Sequence, residues 1–595
     1  MRTSRVLSIL ASAELSVAFT AFASDWQALN VSVNGQLFQG TPFARPCFPD
    51  AVGTGGMFDQ EQCTLVQNNY TTRDLRILEF GAPNGKLVKS DFKSVCSIRL
   101  SPTIHWRSIV EPATKEAFLM LMYATSKALA RTSFLFNWFF QKIDVQSAND
   151  IIAAFNFSRK TGVPLVVKNT GHDYKGRSSG PATLGIWTHN FQNLSFSSTF
   201  VPEGCPSFSP QPAVTLGAGV KHIDLFNFAE ANNLTLPGGT DPTVGAAGGY
   251  FQWTERYVSP YAHELLQVEV VVPSGEILIA NECQNSDLFF ALRGGGGGTF
   301  GVVLSVTEKA FPQTTFPTIQ AAIQNTPENQ RLFMAFMAEN MVDYALQGWG
   351  GFLAPSLGCI LTNPTMNLSA AEASLQNMKT FVEGHLNGTF VAVLEPSWLG
   401  FFTTFIEPTD VYSLQRALQP VGLPYAVASR LIPKANFATN ESRTELIDTL
   451  FPIFDTVQQS LIFSVAPFMF AANGGNTSVT SINPIWYDSL WHVTASMFWN
   501  FNTTLVERIG NYTLLSKTMD TLRAITPGAG AYQNEADVYE PNHIESFWGS
   551  NYPKLFAIKQ KYDPEGLLDC WHCVGSKGQL NPRFKCYIPE NLIRG

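Results

Sequence analysis

The spacing of hydrophobic and polar positions predicts an α/β region from Ile143 to Pro312. From Ala148 to Lys160 the apolar residues recur at helical spacing, and Gly162 is placed to end that helix. His222–Ala231 has the same helical spacing. Short apolar runs rich in β-branched residues predict buried strands at Val163–Val167, Ala213–Leu216 and Val302–Val306.

A hairpin and a short helix complete this region. Leu265–Val272 and Ile277–Ala280 read as two strands, because Pro273–Glu276 has the composition of a tight turn. Ser286–Arg293 reads as a helix that Ser286 caps and Gly294 ends.

The pattern changes from Phe316 to about Thr526, where longer helical stretches alternate with strand-like runs. Predicted helices cover Asn329–Glu339, Ala370–Glu383 and Glu445–Ser460, and a predicted strand covers Leu461–Phe470. Glycine clusters become fewer here, which indicates a second α+β domain inserted into the chain. From Gly528 the chain returns to loops rich in Gly, Tyr, Asn and Trp.

Composition excludes several classes of protein. Of the 595 residues, 45% are hydrophobic and only 14% are charged, which excludes a disordered chain. The net charge of −8 argues against a nucleic-acid surface, which needs clustered Lys and Arg. Lys127 and Arg131 interrupt the apolar segment Phe118–Phe140, so no membrane-spanning run of about 18 residues is predicted there.

The N-terminus predicts secretion to the extracellular space. Residues 1–23 combine basic Arg2 and Arg5, an apolar stretch and Ala21-Phe22-Ala23 before a cut at Ser24, the pattern of a signal peptide. An ordinary buried helix is the alternative. N-linked glycans are expected at eleven sequons, Asn30, Asn69, Asn156, Asn193, Asn233, Asn367, Asn387, Asn440, Asn476, Asn502 and Asn511.

Nine cysteines fit an oxidising compartment, and the odd number leaves at least one thiol unpaired in a monomer. Cys570-Trp-His-Cys573 has the spacing of half a zinc site, but the chain has no second CxxC pair. A disulfide is therefore favoured over zinc, and no metal site is predicted.

Three glycine-rich loops carry the candidate chemistry. Lys168–Gly180 follows a buried strand and contains Gly171-His172-Asp173, so its backbone can approach a ligand and its amides can cradle a diphosphate. Leu236–Gly249 is rich in small residues that let the backbone lie against a flat or anionic group. Taken singly, the first loop fits a surface turn with a hydrogen-bonded histidine as well as it fits a ligand site. The second loop fits a plain turn followed by a tightly packed helix start equally well.

The third loop is Arg293–Gly301. Gly296, Gly298 and Gly301 satisfy the Rossmann spacing, but here a helix precedes and a strand follows, so a Rossmann NAD site is rejected. Together the three loops indicate one extended cofactor that carries a diphosphate.

These motifs resemble the FAD-linked oxidases of the vanillyl-alcohol-oxidase superfamily, and within it the fungal berberine-bridge-enzyme-like branch. The matching segments are Gly171–Ser179, Pro242–Gly249, Asp287–Val303, Tyr532–Asp537 and Phe547–Tyr552, with Lys561-Tyr562-Asp563-Pro564 after them. The resemblance covers most of Ile143–Cys573 and is weakest in the middle domain. It implies an α+β fold, a PCMH-type two-part FAD-binding domain with an inserted α+β substrate domain.

The patterns along the chain and the resemblance together predict a domain order. It runs from the signal peptide (1–23) through an N-terminal region (24–142), an FAD-binding domain (143–315) and a substrate domain (316–526) to a C-terminal segment (527–595) that returns to the FAD domain.

For the cofactor, the resemblance implies FAD bonded covalently through His172. No cysteine stands in Tyr250–His263, where some relatives form a second bond, so a single link is expected. Asn534 and Asn551 would hydrogen-bond the cofactor from the C-terminal segment. The full set of expected cofactor-binding residues is Asn169, Thr170, Gly171, His172, Asp173, Gly176, Ser178, Gly239, Thr243, Val244, Gly245, Gly248, Gly249, Gly298, Gly301, Val302, Asn534 and Asn551.

The implied reaction passes a hydride from a substrate C–H to the flavin while a base takes the neighbouring proton, and O2 then reoxidises the flavin to give H2O2. The candidates for the base are Tyr532, Glu535 and Asp537. Tyr532 needs a lowered pKa for this role. For Glu535 and Asp537, a supporting or solvated role is favoured over a catalytic one, because a carboxylate near a site is only probabilistic evidence of catalysis.

Two segments depart from the family pattern. Relatives usually carry a Gly-Gly-Gly-His-Ser-type loop where this chain has Trp253–His263, and that loop normally passes close to the flavin. Ser97–Gln141 separates landmarks that usually lie closer together. We interpret this second segment as translated intron sequence and predict that it is not integrated in the fold.

The sequence thus predicts a secreted oxidase of a small alcohol or amine, such as a sugar, a phenol or another secondary metabolite, with O2 as the second substrate. Two alternatives stay open at this point. One is a catalytically impaired relative or defective gene product that keeps the fold. The other is a secreted glycan-binding protein.

Overall fold

The computed structural model describes residues 21–40, 60–68, 140–180, 183–253, 265–406, 424–465, 467–500, 503–584 and 587–595. The helices are α1 (Ala23–Ser32), α2 (Gln60–Asn68), α3 (Ala148–Thr161), α4 (His222–Ala231), α5 (Phe251–Trp253), α6 (Ser286–Leu292), α7 (Pro327–Leu346), α8 (Leu368–Ser374), α9 (Gln376–His385), α10 (Trp398–Phe401), α11 (Asn440–Thr456), α12 (Pro467–Ala472), α13 (Leu505–Ile525), α14 (His543–Trp548), α15 (Tyr552–Tyr562) and α16 (Glu590–Arg594).

The strands are β1 (Leu37–Gln39), β2 (Phe140–Asp144), β3 (Leu165–Lys168), β4 (Thr183–Trp187), β5 (Leu194–Phe200), β6 (Gln211–Gly217), β7 (Leu234–Thr235), β8 (Leu265–Val271), β9 (Ile277–Ala280), β10 (Val302–Lys309), β11 (Phe311–Pro312), β12 (Phe316–Ala322), β13 (Gly350–Ala354), β14 (Gly358–Thr362), β15 (Thr389–Glu395), β16 (Tyr425–Pro433), β17 (Gln459–Ser464) and β18 (Ser489–Phe498).

The first sheet has four strands in the order β1-β2-β4-β3. Strands β2, β4 and β3 are parallel, and β1 pairs antiparallel with β2. Helix α3 packs on this sheet through Ile151 and Phe155, and it ends at Gly162, which takes the left-handed conformation expected of a helix stop. The predicted domain boundary between residues 142 and 143 falls inside β2, so the first sheet includes residues before that boundary.

The second sheet is antiparallel, with five strands in the order β5-β6-β10-β8-β9. The predicted hairpin is present as β8 and β9. The C-terminal segment returns to this sheet, because Trp548, Leu555 and Val574 belong to the same buried cluster as Val268 and Val306. A disulfide joins Cys205 to Cys283 on this part of the molecule.

The third sheet is antiparallel and has seven strands in the order β15-β12-β14-β13-β17-β18-β16. One face is covered by helices α7, α9, α11 and α13, whose apolar side chains form the largest buried cluster with residues of the sheet. On the opposite face of the sheet, side chains of β16, β17 and β18 line a cavity.

Several predicted elements differ at their ends. Helix α6 is preceded by Asn285 in the left-handed conformation with no side-chain cap, so the predicted cap by Ser286 was wrong. The predicted strand Leu461–Phe470 ends at Ser464, and a helix begins at Pro467, because proline suits the first turn of a helix and cannot donate to a sheet. The predicted helix Glu445–Ser460 begins earlier, because Thr439 caps it, and ends at Thr456.

Two further expectations concern the cysteines and the membrane. Cys570 and Cys573 form a disulfide, as favoured over zinc, and Cys359 is a free buried thiol. In the part of the chain that the structure describes, every helix is too short or too polar to cross a membrane. The expected signal peptide lies mostly outside the described residues, and its expected cut at Ser24 falls in the first turn of α1.

Deleting residues 97–139 is expected to preserve flavin binding and to raise soluble yield. The segment predicted to be an insertion extended to Gln141, but Phe140 and Gln141 belong to β2 and must be kept. The rest of that segment lies outside the described residues. The test compares soluble yield and flavin content of the deletion variant with those of the full chain, and a deletion variant that misfolds would show the segment to be structural.

Candidate active site

A cavity lies between the loop that follows β3 and the open side of the seven-stranded sheet. Its walls include parts of the three glycine-rich loops, the start of the C-terminal segment and residues of β16, β17 and β18. The topology therefore brings together segments that are more than 350 positions apart, such as His172 and Asn534.

Most of the expected cofactor-binding residues line this cavity. They are Asn169, Thr170, Gly171, His172, Asp173, Ser178, Gly239, Val244, Gly245, Gly248, Gly249, Gly298, Gly301, Val302 and Asn534. Thr243 is not a wall residue but contacts the His172 ring. Gly176 lies in the same loop, and Asn551 instead donates from its amide to the Ile482 carbonyl at 2.7 Å.

The hydrogen bonds around His172 determine which ring nitrogen carries the proton. His172 Nε2 lies 2.7 Å from Thr243 Oγ1, and Thr243 Oγ1 lies 2.8 Å from Asp241 Oδ1. An ionised carboxylate only accepts, so the Thr243 hydroxyl donates to Asp241 and must accept from His172. In the neutral imidazole, Nε2 therefore carries the hydrogen and the ring's lone pair is on Nδ1.

The backbone of the His172 loop is fixed by the C-terminal segment. Asn534 donates from Nδ2 to the His172 carbonyl at 3.0 Å, and its Oδ1 accepts from the Tyr174 amide at 3.3 Å and from Arg177 Nη2 at 3.2 Å. The buried Lys175 ammonium donates to the carbonyls of Ala536 and Asp537. Burial, reinforced by the charge of Arg177, lowers the pKa of Lys175 to about 7.

The second glycine loop passes directly over Asn169. A Cβ placed on Gly245 would lie 1.9 Å from Asn169 Oδ1, so any larger residue at this position would displace the Asn169 side chain. The amide oxygen and nitrogen of Asn169 and the hydroxyl of Ser178 are buried and have no hydrogen-bond partner among the described residues. Buried polar atoms without partners are rare, so a ligand with donors and acceptors fits these walls.

The third glycine loop has two parts. A Cβ on Gly294 would lie 2.6 Å from Ile482, so this glycine is required by packing against the neighbouring segment. Gly297 and Gly298, by contrast, line the cavity. The run of five glycines therefore has two roles, packing at one end and forming the cavity wall at the other. The sequence alone could not show which glycines have which role.

The opposite wall comes from the seven-stranded sheet and was not predicted. Its residues alternate along three neighbouring strands, namely Tyr425 and Val427 on β16, Gln459, Leu461 and Phe463 on β17, and Thr494 and Ser496 on β18. Period-two alternation is a signal that a sequence carries, but which face meets the cavity depends on the strand order.

Two of the three candidate bases, Tyr532 and Glu535, line the cavity. Burial raises the pKa of Tyr532 well above its usual value, and the nearby Glu535 carboxylate adds to this effect. Tyr532 is therefore a hydrogen-bond donor in this setting, and a role for it as the base lacks the lowered pKa that this role needs. Glu535 is half-buried, with Oε2 3.9 Å from Nδ1 of His492.

The third candidate, Asp537, lies outside the cavity wall. Its carboxylate accepts from the Ser516 hydroxyl, from Arg594 Nη2 at 3.2 Å and from the Tyr539 amide at 2.9 Å. These contacts assign it a structural role in joining α13 and α16 to the C-terminal segment.

The buried His492 is expected to make the protein sensitive to acid. Burial lowers its pKa to about 3, whereas an unfolded histidine titrates near 6.5. Between these values the unfolded chain binds the extra proton, so this contribution to stability is present above about pH 6.5 and is lost as the pH falls. Relative to His492→Gln, the wild-type protein should lose about 1.4 kcal/mol of unfolding free energy per pH unit in this range.

Urea unfolding of both proteins between pH 4 and 8 measures this difference. The reference is His385→Gln, which changes an exposed histidine on α9. Equal pH slopes for wild type and His492→Gln would contradict the prediction.

Comparison with known proteins extends these observations. The family profile described as "Berberine and berberine like" matches residues 531–570. The chain is 31% identical to the FAD-linked oxidoreductase ffsJ of Aspergillus flavipes, over 97% of this chain and 96% of that protein. It is 32% identical to the FAD-linked oxidoreductase OXR2 of Pyricularia oryzae, over 95% and 94% of the two chains.

Among solved structures, the fold is similar to a VAO-type flavoprotein from Myceliophthora thermophila C1, with a TM-score of 0.77 at 24% identity, covering 94% of this chain and 96% of that one. It is also similar to the glucooligosaccharide oxidase of Acremonium strictum, with a TM-score of 0.57 at 20% identity over 73% and 91%. That structure's description names a 6-S-cysteinyl, 8α-N1-histidyl FAD.

Proposed function

Because this chain belongs to the FAD-linked oxidoreductases of the berberine-bridge-like family, we propose that it is a secreted oxidase holding FAD through a single covalent bond to His172. FAD, when bound, accepts a hydride from a substrate C–H and passes the electrons to O2, which yields H2O2. The proposed substrate is a small alcohol or amine.

The observation that carries this proposal is the hydrogen bonding of His172 to Thr243, which is itself bonded to Asp241. Thr243 and Asp241 hold the proton on Nε2, so Nδ1 is the nitrogen with the lone pair needed to form a bond to carbon. Asp241 Oδ1 is also 3.6 Å from Nε2, where its charge favours that hydrogen's position. The unpartnered polar atoms of Asn169 and Ser178 would hold other parts of the same cofactor.

We assign the proton acceptor of the reaction to Glu535. It is a charged side chain of the cavity wall on the C-terminal segment, and the neighbouring His492, with a pKa of about 3, is neutral at ordinary pH. Because His492 is neutral, it places no positive charge beside Glu535. The Glu535 carboxylate is therefore not weakened as a proton acceptor by this neighbour. The Tyr532 hydroxyl, which keeps its proton, would donate to the substrate oxygen or nitrogen and orient it.

The sheet wall indicates the kind of substrate. Val427, Leu461 and Phe463 supply apolar surface, while Thr494 and Ser496 supply hydroxyls. A largely apolar molecule with a hydroxyl or amine group at one end complements this wall better than a highly charged one.

Secretion is supported by three features. The N-terminal 23 residues have the pattern of a signal peptide, disulfides join Cys205 to Cys283 and Cys570 to Cys573, and seven sequon asparagines among the described residues are exposed. These asparagines are Asn156, Asn193, Asn233, Asn367, Asn387, Asn440 and Asn476.

The test is a screen of alcohols and amines, read out as substrate-dependent H2O2 release by the purified protein. The screen includes phenolic alcohols, sugars and long-chain secondary alcohols, with heat-inactivated protein as the control. Flavin-loaded protein that releases no peroxide with any class of substrate would favour a catalytically impaired relative. A flavin-free protein that binds glycans would favour a secreted glycan-binding protein.

Restoring a glycine-rich loop in place of Trp253–His263 is expected to raise peroxide production and leave flavin content unchanged. Apart from Trp253 this loop lies outside the described residues. The other loops that would hold the cofactor are intact, whereas a displacement of about 1 Å near reacting atoms can cost about a hundredfold in rate. The measurement is kcat together with flavin per chain, and flavin content rising in step with activity would show that the loop limits incorporation instead.

A further inference from the structure

We propose that Asp569 binds the adenosine end of the cofactor, through a hydrogen bond from a ribose hydroxyl or the adenine amine to its carboxylate. This inference rests on the proposed FAD site. Asp569 lines the same cavity as His172, and its Oδ1 is buried with no hydrogen-bond partner among the described residues. A buried carboxylate oxygen without a donor is destabilising, and a ligand donor would satisfy it.

The carboxylate is held in place by its neighbours. Asn581 donates from Nδ2 to Asp569 Oδ2 at 2.8 Å, so one oxygen is engaged while Oδ1 is not. Arg583 donates through Nη1 to the Asp569 carbonyl and through Nη2 to the Leu165 carbonyl at 2.7 Å. Asp569 is thereby fixed beside the first residue of β3.

This position is at the far end of the cavity from His172. Leu165 and Lys168 are the two ends of β3, and three residues of strand span about 10 Å. His172 lies four residues beyond Lys168, in the loop that follows the strand. A cofactor bonded to His172 by its ring and extended along the cavity would therefore bring its other end towards Asp569.

The chemistry of Asp569 selects which part of a dinucleotide lies there. An ionised carboxylate only accepts hydrogen bonds. It repels a diphosphate but pairs well with sugar hydroxyls, the way in which acidic residues hold a nucleotide ribose in other folds. The adenosine part of FAD offers such donors, and FMN lacks that part.

The experiment measures dissociation constants of FAD and FMN by quenching of flavin fluorescence, in a His172→Ala background where no covalent bond hides affinity. Asp569→Ala is expected to weaken FAD binding by about tenfold to a hundredfold, the effect of losing a hydrogen bond to a charged group, and to leave FMN binding unchanged. Asp569→Asn keeps one acceptor oxygen in place of two, so its dissociation constant for FAD should lie between those of the parent and of Asp569→Ala.

Weakening of FAD and FMN to the same extent would overturn the proposal, because it would mean that Asp569 only supports the fold. Unchanged affinity for both flavins would also overturn it, because the carboxylate would then not contact the cofactor. If the parent His172→Ala protein and the wild-type protein bind no flavin at all, the proposed function itself fails, and that outcome is seen before any change at Asp569 is compared.

Discussion

His172→Ala should lose all of its flavin to the supernatant on acid precipitation, whereas the wild-type protein should keep its flavin in the pellet. The reason is that Nδ1 of His172 carries the lone pair needed for a bond to the cofactor, and denaturation releases any flavin that is held only by loops. The measurement is flavin absorbance in pellet and supernatant, with the intact mass of the denatured chain as confirmation.

The chain offers a matched control for this experiment. His189 also pairs with a carboxylate, with Nε2 2.7 Å from Asp144 Oδ1, but it is not among the described cavity-lining residues. His189→Ala should keep its flavin in the pellet. Thr243→Val removes the hydroxyl that holds the Nε2 proton, so it should slow attachment and yield a mixture of bound and released flavin. Complete release from the wild-type protein would contradict the covalent bond.

Glu535→Gln should lower kcat by about a hundredfold or more, since positioned general bases contribute about 10²–10⁴-fold. Flavin content should not change, because the contacts with the His172 loop come from Asn534 and Lys175. Steady-state peroxide release with the substrate found in the screen gives kcat, and absorbance gives flavin per chain.

Two further variants make this assignment specific. Glu565→Gln changes a partly exposed glutamate that pairs with Arg159 on the surface, and it should leave kcat near the wild-type value. Tyr532→Phe should raise KM more than it lowers kcat, because the tyrosine is assigned to orient the substrate. A near-normal kcat for Glu535→Gln together with a severe loss for Tyr532→Phe would move the base to the tyrosine.

The sequence identified much of the FAD side of the molecule because its signals there are local. Helix α4 was predicted at its observed bounds, Gly162 ends α3, and Pro273–Glu276 forms the turn between β8 and β9. The His172 loop was found for the same reason, since glycine, histidine and a preceding buried strand stand within a few positions of each other.

The sheet wall of the cavity could not be predicted in this way. Which residues of β16, β17 and β18 meet the cavity depends on the strand order and on the helices that cover the other face, and these are contacts between distant parts of the chain. Asp537 shows the same limit, because its partners Ser516 and Arg594 lie 21 and 57 positions away. A carboxylate next to a conspicuous motif was a reasonable candidate until those partners were seen.

The most direct test of the central claim is the absorption spectrum of the purified wild-type protein, mixed without oxygen with the substrate found in the screen and then exposed to air. An FAD-dependent oxidase should start yellow, lose the flavin band when substrate is added, and recover it in air while releasing H2O2 in an amount equal to the flavin. A colourless protein, or a yellow one whose band is unchanged by every substrate class, would contradict the account.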